Sequence, residues 1–514
     1  MPESTLTRRA AQWCRARTAK ALHMSARRRD EERNRGARVD VIVVGGGFSG
    51  LIVANRCAER GLEVTVLEQG AAEDYLCNSR IATGALNFAH SDPRLPVDRL
   101  VQAVMDDTGD HADPALARAL AGVIAPTLDW LQAEGAEFLE RTVQDKRTVL
   151  LAPVRSFSPG LDWRNNGADR LLQRLTANLR RRGGELKLAA RATSLIVENG
   201  RCTGVQAETA DGPRRFAARH VVLADGGFQG NPDLVRRHIC RHPEALVQRS
   251  AGTGRGDAIN MAAAAGAKLV DMDSFYGHLL SRAARQNPRL WPYPTLDGLT
   301  GTGILTGPNG RRIFDEGLGG ITLSNLIAGL DDLLSTVVVF DAAIWERAAH
   351  DEVVPVNPHL PSTGGEIYRA DDLAALAGQI GVPADGLSET VATYNAAVRD
   401  GTLEALDPPR TPGRRFGIIR NSPDRLAPRA VEHPPYYAAP LAVGISVTLG
   451  GIAIDPGARA LRPSGEPFDG LYAVGSTSGG VEGGPIAGYM GGLAKAICTA
   501  TLAAQDIVAR HGMR

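Results

Sequence analysis

The chain has 514 residues, more than the roughly 250 to 300 at which a single hydrophobic core stops growing, so at least two domains are expected. Its 43% hydrophobic and 22% charged residues, with a formal net charge of +1, are ordinary for a globular protein and give no sign of a nucleic-acid partner. No apolar run approaches the roughly 18 residues needed to span a bilayer, and the N-terminus lacks the apolar core of a secretory signal.

Residues 1–38 carry eleven Lys/Arg against four acidic residues and show little apolar periodicity, which predicts a flexible basic extension. Met24 is an alternative start within it, and Asp30, Glu31 and Glu32 disfavour an organelle-targeting role. From Val39 the runs VDVIVVGGG, FSGLIVANRCAERG and EVTVLEQ read as strand, glycine turn, helix and strand, a βαβ unit. Gly45, Gly47 and Gly50 form GxGxxG directly after the strand, and Glu68 closes the next strand eighteen residues past Gly50. Each position has a mechanical reason. Gly45 permits the tight turn, Gly47 lets the backbone approach a pyrophosphate, and Gly50 lets helix and strand pack. The helix N-terminus faces negative phosphates, and Glu68 accepts from ribose hydroxyls. The fingerprint does not itself decide between FAD and NAD.

Further along, residues 186–212 and 214–227 alternate apolar and polar residues between turn signals, as antiparallel strands that return the chain to the same sheet. Between about Asp273 and Gly444 the pattern changes to short helices and Pro/Gly-punctuated loops. The segments GGIAID and GLYAVGS and a helical tail from Leu493 to Ala509 then resume the earlier grammar. The expected organisation is a dinucleotide domain in two parts, 39–272 and 445–514, around an inserted cap at 273–444. Glycine, at 58 residues, clusters near Gly45, Gly226, Gly450 and Gly483, where backbone must approach something closely. The cysteines Cys14, Cys57, Cys77, Cys202, Cys240 and Cys498 form no CxxC pair and have no metal-ligand spacing with the histidines, so no metal site and a reducing, cytoplasmic setting are expected.

Six segments in order carry a resemblance: NSRIATGALN (Asn78 to Asn87), VVLADGGF (Val221 to Phe228), GRGDAINMAAAAGA (Gly254 to Ala267), GRRIFDE (Gly310 to Glu316), TLGGIAID (Thr448 to Asp455) and GLYAVGSTSGGVEGG (Gly470 to Gly484). From Val39 to about Ala509 the chain resembles the fumarate reductase/succinate dehydrogenase flavoprotein family, and within it ketosteroid dehydrogenase-like members more than true fumarate reductases. The resemblance implies an α/β fold with a discontinuous Rossmann-like FAD-binding domain of the glutathione reductase type and an inserted α+β cap. It makes FAD the cofactor. Contacts are expected at Gly45, Gly47, Phe48, Ser49, Gly50, Glu68 and Gln69, at Asn78, Ser79, Thr83 and Gly84, and at Ala192. The remainder fall at Ala224, Asp225, Gly226, Asp257, Gly475, Ser476, Gly491 and Leu493. Asp225 replaces the family's usual Thr and Ser476 a common Glu. Asn78 and Ser79 stand where membrane-bound relatives carry a flavin-linked histidine, so binding should be non-covalent. The tail helix is expected to aim its N-terminus at the flavin pyrimidine.

Fumarate-reducing members hold a dicarboxylate with two histidines and an arginine and deliver a proton through an Arg-Glu-Arg relay. His278 matches the first histidine, but the second falls on Val447 and the arginine near Tyr489. The relay falls on Gly320, Leu296 and Leu299. Without those cations two buried carboxylates would be left unpaired, which argues against fumarate. Tyrosines replace them: Tyr276, Tyr436, Tyr437 and Tyr489, of nine in the chain, lie in or beside segments lining the family's substrate cavity. Ketosteroid dehydrogenases resemble this in using tyrosines to polarise a ketone and remove a proton. The catalytic candidates are therefore Tyr489, His278, Tyr276 and Tyr437, while Arg312 and Glu316 are expected to form a cap ion pair. The leading expectation is a desaturase or ene-reductase acting beside a carbonyl on a mostly neutral, cyclic or steroid-like small molecule. Competing readings are a carboxylate dehydrogenase drawing cations from Arg282, Arg285 or Arg312, and a catalytically decayed flavin-binding protein. The absence of CxxCH and iron-sulfur patterns predicts an external electron donor or acceptor.

Overall fold

The computed structural model describes residues 38–143, 146–155, 162–350, 354–412 and 427–512. The expected basic extension, with Cys14, Met24 and Asp30 to Glu32, lies outside these residues apart from Arg38. Strand β1 (Val39–Val44) is flanked by β2 (Val64–Leu67) and continues outward to β3 (Glu185–Lys187), all parallel. β1 and β2 are apolar or β-branched in near-continuous runs because both faces are covered, the pattern of a central parallel strand. Helix α1 (Phe48–Ala58) packs on them and is buried along ten of its eleven residues.

The alternating segment forms the expected antiparallel excursion, Arg191–Glu198 with Arg201–Thr209 and then with β4 (Gly212–Leu223). The far half of β4 lies parallel to β1, with Val41 opposite His220 and Val44 opposite Leu223, so the excursion returns the chain to the first sheet. A second sheet joins β5 (Phe275–Ser281), β6 (Val337–Asp341) and β7 (Tyr436–Thr448), with β7 antiparallel to both of the others. Its hydrophobic core also takes in Phe228, Leu234, Val235, Cys240 and Val247, ahead of Asp273, because the strand Val247–Gln248 pairs alongside Gly444 and Ile445.

The chain then re-enters the first sheet through β8 (Arg459–Leu461) and β9 (Pro467–Ala473), the latter parallel to β4. Helix α2 (Gly492–Gly512) lies against α1. The dinucleotide domain is thus discontinuous, and its sheet order is β8-β9-β4-β1-β2-β3. Among the described residues no helix is long and apolar enough to cross a membrane. One cleft runs from the carboxyl ends of β1 and β2, past α2, to β5 and β7 of the second sheet. This is where open α/β sheets bind ligands.

Candidate functional site

At one end the cleft is built from backbone. A Cβ on Gly45, whose φ is +105°, would stand 2.5 Å from the Ala224 carbonyl oxygen, and a Cβ on Gly50 would collide with the Gly45 carbonyl. Both are glycine because the chain packs against itself there. Gly47 differs: the only neighbour a Cβ would meet within 4 Å is Ser79 Oγ at 3.1 Å. Its empty side therefore serves something outside the chain. Ser79 Oγ accepts from the Phe48 N–H at 2.9 Å, which fixes the flavin-loop segment against the start of α1. Glu68 is buried, and its two carboxylate oxygens accept from Gly46 N–H and Gly70 N–H, each at 2.8 Å. Burial raises its proton affinity and those two N–H groups oppose the shift. This arrangement suits a dinucleotide: a helix N-terminus, an unobstructed glycine and a carboxylate at the end of β2.

The middle of the cleft joins the sequence-distant segments. Asn78 accepts from Ala251 N–H at 2.8 Å and donates to Ser446 O at 3.3 Å, which ties the loop to β7. Asp225 accepts from Ala258 N–H at 2.9 Å and from Thr477 Oγ1 at 3.3 Å. It caps the helix Asp257–Ala264, and burial pushes its carboxyl up to about 7. Asp257 is held by Arg191 through two bonds of 2.7 and 2.9 Å. Beneath Met490 and Gly491 lies a buried ion pair, Glu482 with Lys495 at 2.9 Å. Glu482 Oε1 takes the Met490 N–H at 3.0 Å and Lys495 donates to Leu449 O at 3.0 Å, so the pair locks the turn that starts α2.

The other end is phenolic. The rings of Tyr276 and Tyr489 stack at 4.0 Å with 22° between planes. Tyr489 Oη accepts from the Gly492 N–H, the first of α2, at 2.6 Å. The Tyr276 hydroxyl is 2.8 Å from His278 Nε2, and His278 Nδ1 contacts Asp297 Oδ2. Asp297 Oδ1 also takes the Leu279 N–H at 2.8 Å. Since a carboxylate can only accept, the network assigns the Nδ1–H to Asp297 and leaves Nε2 to accept from Tyr276. Burial lowers the proton affinity of His278 and raises the phenol values of Tyr276 and Tyr489, the latter far above the ordinary one. The imidazole is therefore neutral and both phenols keep their protons.

Most of the expected cofactor residues line this one cleft; Gly50, Gly84 and Gly475 do not. Gly50 packs under Gly45, Gly84 faces Leu151 and Gly475 sits against Ser49 Oγ, so these three shape the wall from behind. Of the catalytic candidates, Tyr276 and Tyr489 meet in the cleft. His278 does not line it, because Tyr276 covers its Nε2. Tyr437 is a correction. It lies nine residues from Ser446 along β7, roughly 30 Å at about 3.3 Å per residue, and its ring stacks on Phe340 at 5.6 Å and lies tilted against Trp345 at 5.8 Å. Tyr436 neighbours it on the same strand end. Arg312 forms the expected pair with Glu316, Nη2 to Oε2 2.7 Å, both buried, while Arg282 and Arg285 donate to Thr336 O and Glu244 O away from the cleft. The sequence reading missed Asp297, Arg155, Arg249, Glu482 and Lys495. Only the structure shows that a Cβ on Gly320, where the family's relay arginine falls, would collide with the carboxyl group of Asp297.

Residues 40–486 match the family described as the FAD binding domain. The 3-oxosteroid 1-dehydrogenase of Mycobacterium tuberculosis is 32% identical over 366 residues, 67% of this chain and 63% of the relative. The fumarate reductase (cytochrome) of Shewanella frigidimarina is 25% identical over 463 residues, 87% of this chain and 73% of the relative. The chain therefore spans less than two thirds of the steroid dehydrogenase to which its identity is higher. A solved 3-ketosteroid delta1-dehydrogenase from Sterolibacterium denitrificans, in complex with 1,4-androstadiene-3,17-dione, shares the fold with a TM-score of 0.72 at 20% identity, over 92% of this chain and all of that one. With the glycine turn, Glu68 and the open face of Gly47 in place, the chain belongs to the FAD binding domain family, and FAD is its cofactor.

Proposed function

We propose that this chain is an FAD-dependent oxidoreductase that forms or saturates a C–C double bond adjacent to a carbonyl in a cyclic substrate. The observation that carries this reading is the stacked pair Tyr276 and Tyr489, each hydroxyl anchored to a different partner, at the end of the FAD cleft. The flavin, when bound, supplies hydride acceptance or donation. The chain's own residues handle the proton and the developing oxyanion. Tyr489 accepts from Gly492 N–H and keeps its own proton to donate to the carbonyl as enolate charge grows. Tyr276 is no standing phenolate, so it removes a carbon-bound proton only as its own proton passes to His278 Nε2. Asp297 orients the imidazole and stabilises its cationic form.

The same geometry disfavours the competing readings. Asp297 occupies the space that a side chain at Gly320 would need and holds His278, which supports another proton route in place of the lost relay and speaks against a decayed site. Arg282, Arg285 and Arg312 are committed elsewhere. The names of the relatives, a 3-oxosteroid 1-dehydrogenase among them, support a cyclic ketone. Electrons are exchanged with a separate donor or acceptor. Turnover with an artificial acceptor across cyclic ketones, enones and dicarboxylates tests the reading: activity confined to the carbonyl compounds is expected, and activity on succinate or fumarate alone would refute it.

A further inference from the structure

Among the described residues, buried and half-buried arginines are found matched with acids: Arg80 pairs with Asp169, Arg312 with Glu316, and half-buried Arg182 with Glu134. Arg155 and Arg249 are different. Arg155 is 7% exposed and donates through Nη1 to the Ile81 carbonyl at 2.6 Å. Arg249 donates to the Pro292 carbonyl at 3.1 Å and to Ser446 Oγ at 2.9 Å. Both guanidiniums flank the Tyr293 ring, at 5.6 and 5.2 Å from its centroid, and both line the cleft. Among the described residues neither has a carboxylate within ion-pair distance. Burial lowers the proton affinity of Arg155, the Tyr293 phenol opposes that shift, and the like charge of Arg249 adds to it; no carboxylate is among the causes.

Two neighbouring cations partly withdrawn from water, partnered among the described residues by neutral acceptors and an aromatic face, leave guanidinium donors and positive charge uncompensated there. Such a pair matches a planar carboxylate, which takes two parallel N–H bonds from one guanidinium. Their position says which anion. Gly45 to Ser49 and the start of α1 serve the pyrophosphate end, whereas Arg249 donates to Ser446, the neighbour of Val447, which pairs with Tyr276 at the phenolic end. We propose that Arg155 and Arg249 bind a carboxylate carried by the substrate, so that the substrate is a cyclic keto acid with a single acidic group and not a neutral ketone. This rests on the carbonyl chemistry proposed above and adds the group that sets specificity.

The test uses the flavin-loaded protein and two planar phenols of nearly equal shape, 4-hydroxybenzoate and 4-hydroxybenzamide, titrated through the change in flavin absorbance. The carboxylate should bind about ten- to a hundredfold more tightly than the amide, the scale of charge-assisted hydrogen bonds. Arg155→Met and Arg249→Met should each bring that ratio toward one, with flavin content unchanged. Equal binding of the two probes by the native protein would overturn the proposal, as would a ratio that survives in the variants. Folded variants that lose flavin would assign the arginines to the cofactor's phosphates and also overturn it. If a Met variant does not fold, the Lys variants replace it: a compact ammonium cannot make the forked contact, so the ratio should drop, and an unchanged ratio counts against the proposal. Turnover of uncharged ketones alongside equal probe binding would sink only this inference. No turnover of any carbonyl compound would sink the functional reading beneath it.

Discussion

The two ends of the cleft are built in opposite ways. The nucleotide end is backbone: Gly45, Gly47, Gly50, a helix start and one carboxylate, all within thirty residues of β1. The phenolic end is side chains gathered from Arg155, Arg249, β5, Asp297 and the turn before α2, brought together only by the closing of two sheets. A site made of backbone conformation is written locally and tolerates little change at a few positions. A site made of converging side chains can change its chemistry while the fold stays the same.

The sharpest way to break this comparison is at the glycines. Gly47→Val should abolish flavin binding while leaving the protein folded, because its Cβ enters the cleft and touches only Ser79. Gly45→Val should instead cost stability, by roughly 1–3 kcal/mol or more, since it combines a positive φ with a clash against Ala224. The ratio of flavin to protein absorbance and the melting temperature separate the two, and full flavin in Gly47→Val would contradict the account. Acid precipitation of the native protein should release its FAD into the supernatant, as a non-covalent site requires.

Next in size is Asp297, which acts through His278. Asp297→Asn should slow turnover about tenfold or more and move the limb of the pH–rate profile that belongs to His278 toward lower pH, because the lost charge had raised its proton affinity. A residue that only supported the fold would leave that limb where it was.

A smaller effect belongs to Asp225. Its folded value of about 7 lies above the unfolded carboxylate value of about 4, so the folded state holds the extra proton between them. Stability should therefore fall as pH rises from about 4 through about 7 and level off above. Asp225→Asn should flatten that slope in melting curves at pH 5 and pH 8. Tyr437→Phe should change least, staying within about twofold in turnover, because its ring packs on Phe340 and Trp345 away from the cleft. A large loss there would return it to the catalytic set.

The contrast also explains what was legible in advance. Strand, glycine turn, helix and Glu68 are contiguous and periodic, so their arrangement follows from spacing and sterics. The returning strands at Gly212–Leu223 and Pro467–Ala473 were legible because their alternation and turn residues are local. Asp297 was not: it lies nineteen residues from His278 in a stretch that reads only as a turn, and its role exists because β5 and the helix Asp297–Thr302 meet. Arg155 and Arg249 look like any other arginine until their surroundings show that, among the described residues, no carboxylate lies within ion-pair distance of either. Tyr437 misled because closeness in sequence to the β7 end of the cleft is not closeness in space when each residue of a strand advances about 3.3 Å.

The central claim, that a pair of protonated phenols at the end of the FAD cleft handles a carbonyl compound, is tested most directly by anaerobic stopped flow on the 450 nm flavin absorbance. The native protein, Tyr276→Phe and Tyr489→Phe would each be mixed with saturated cyclic ketones and keto acids, and after chemical reduction with the matching enones. The expected response to these carbonyl compounds slows about a hundredfold in each variant, with flavin content and substrate affinity changed far less. Unaltered rates in both variants, or a flavin that responds to dicarboxylates and to no cyclic carbonyl compound, would contradict it.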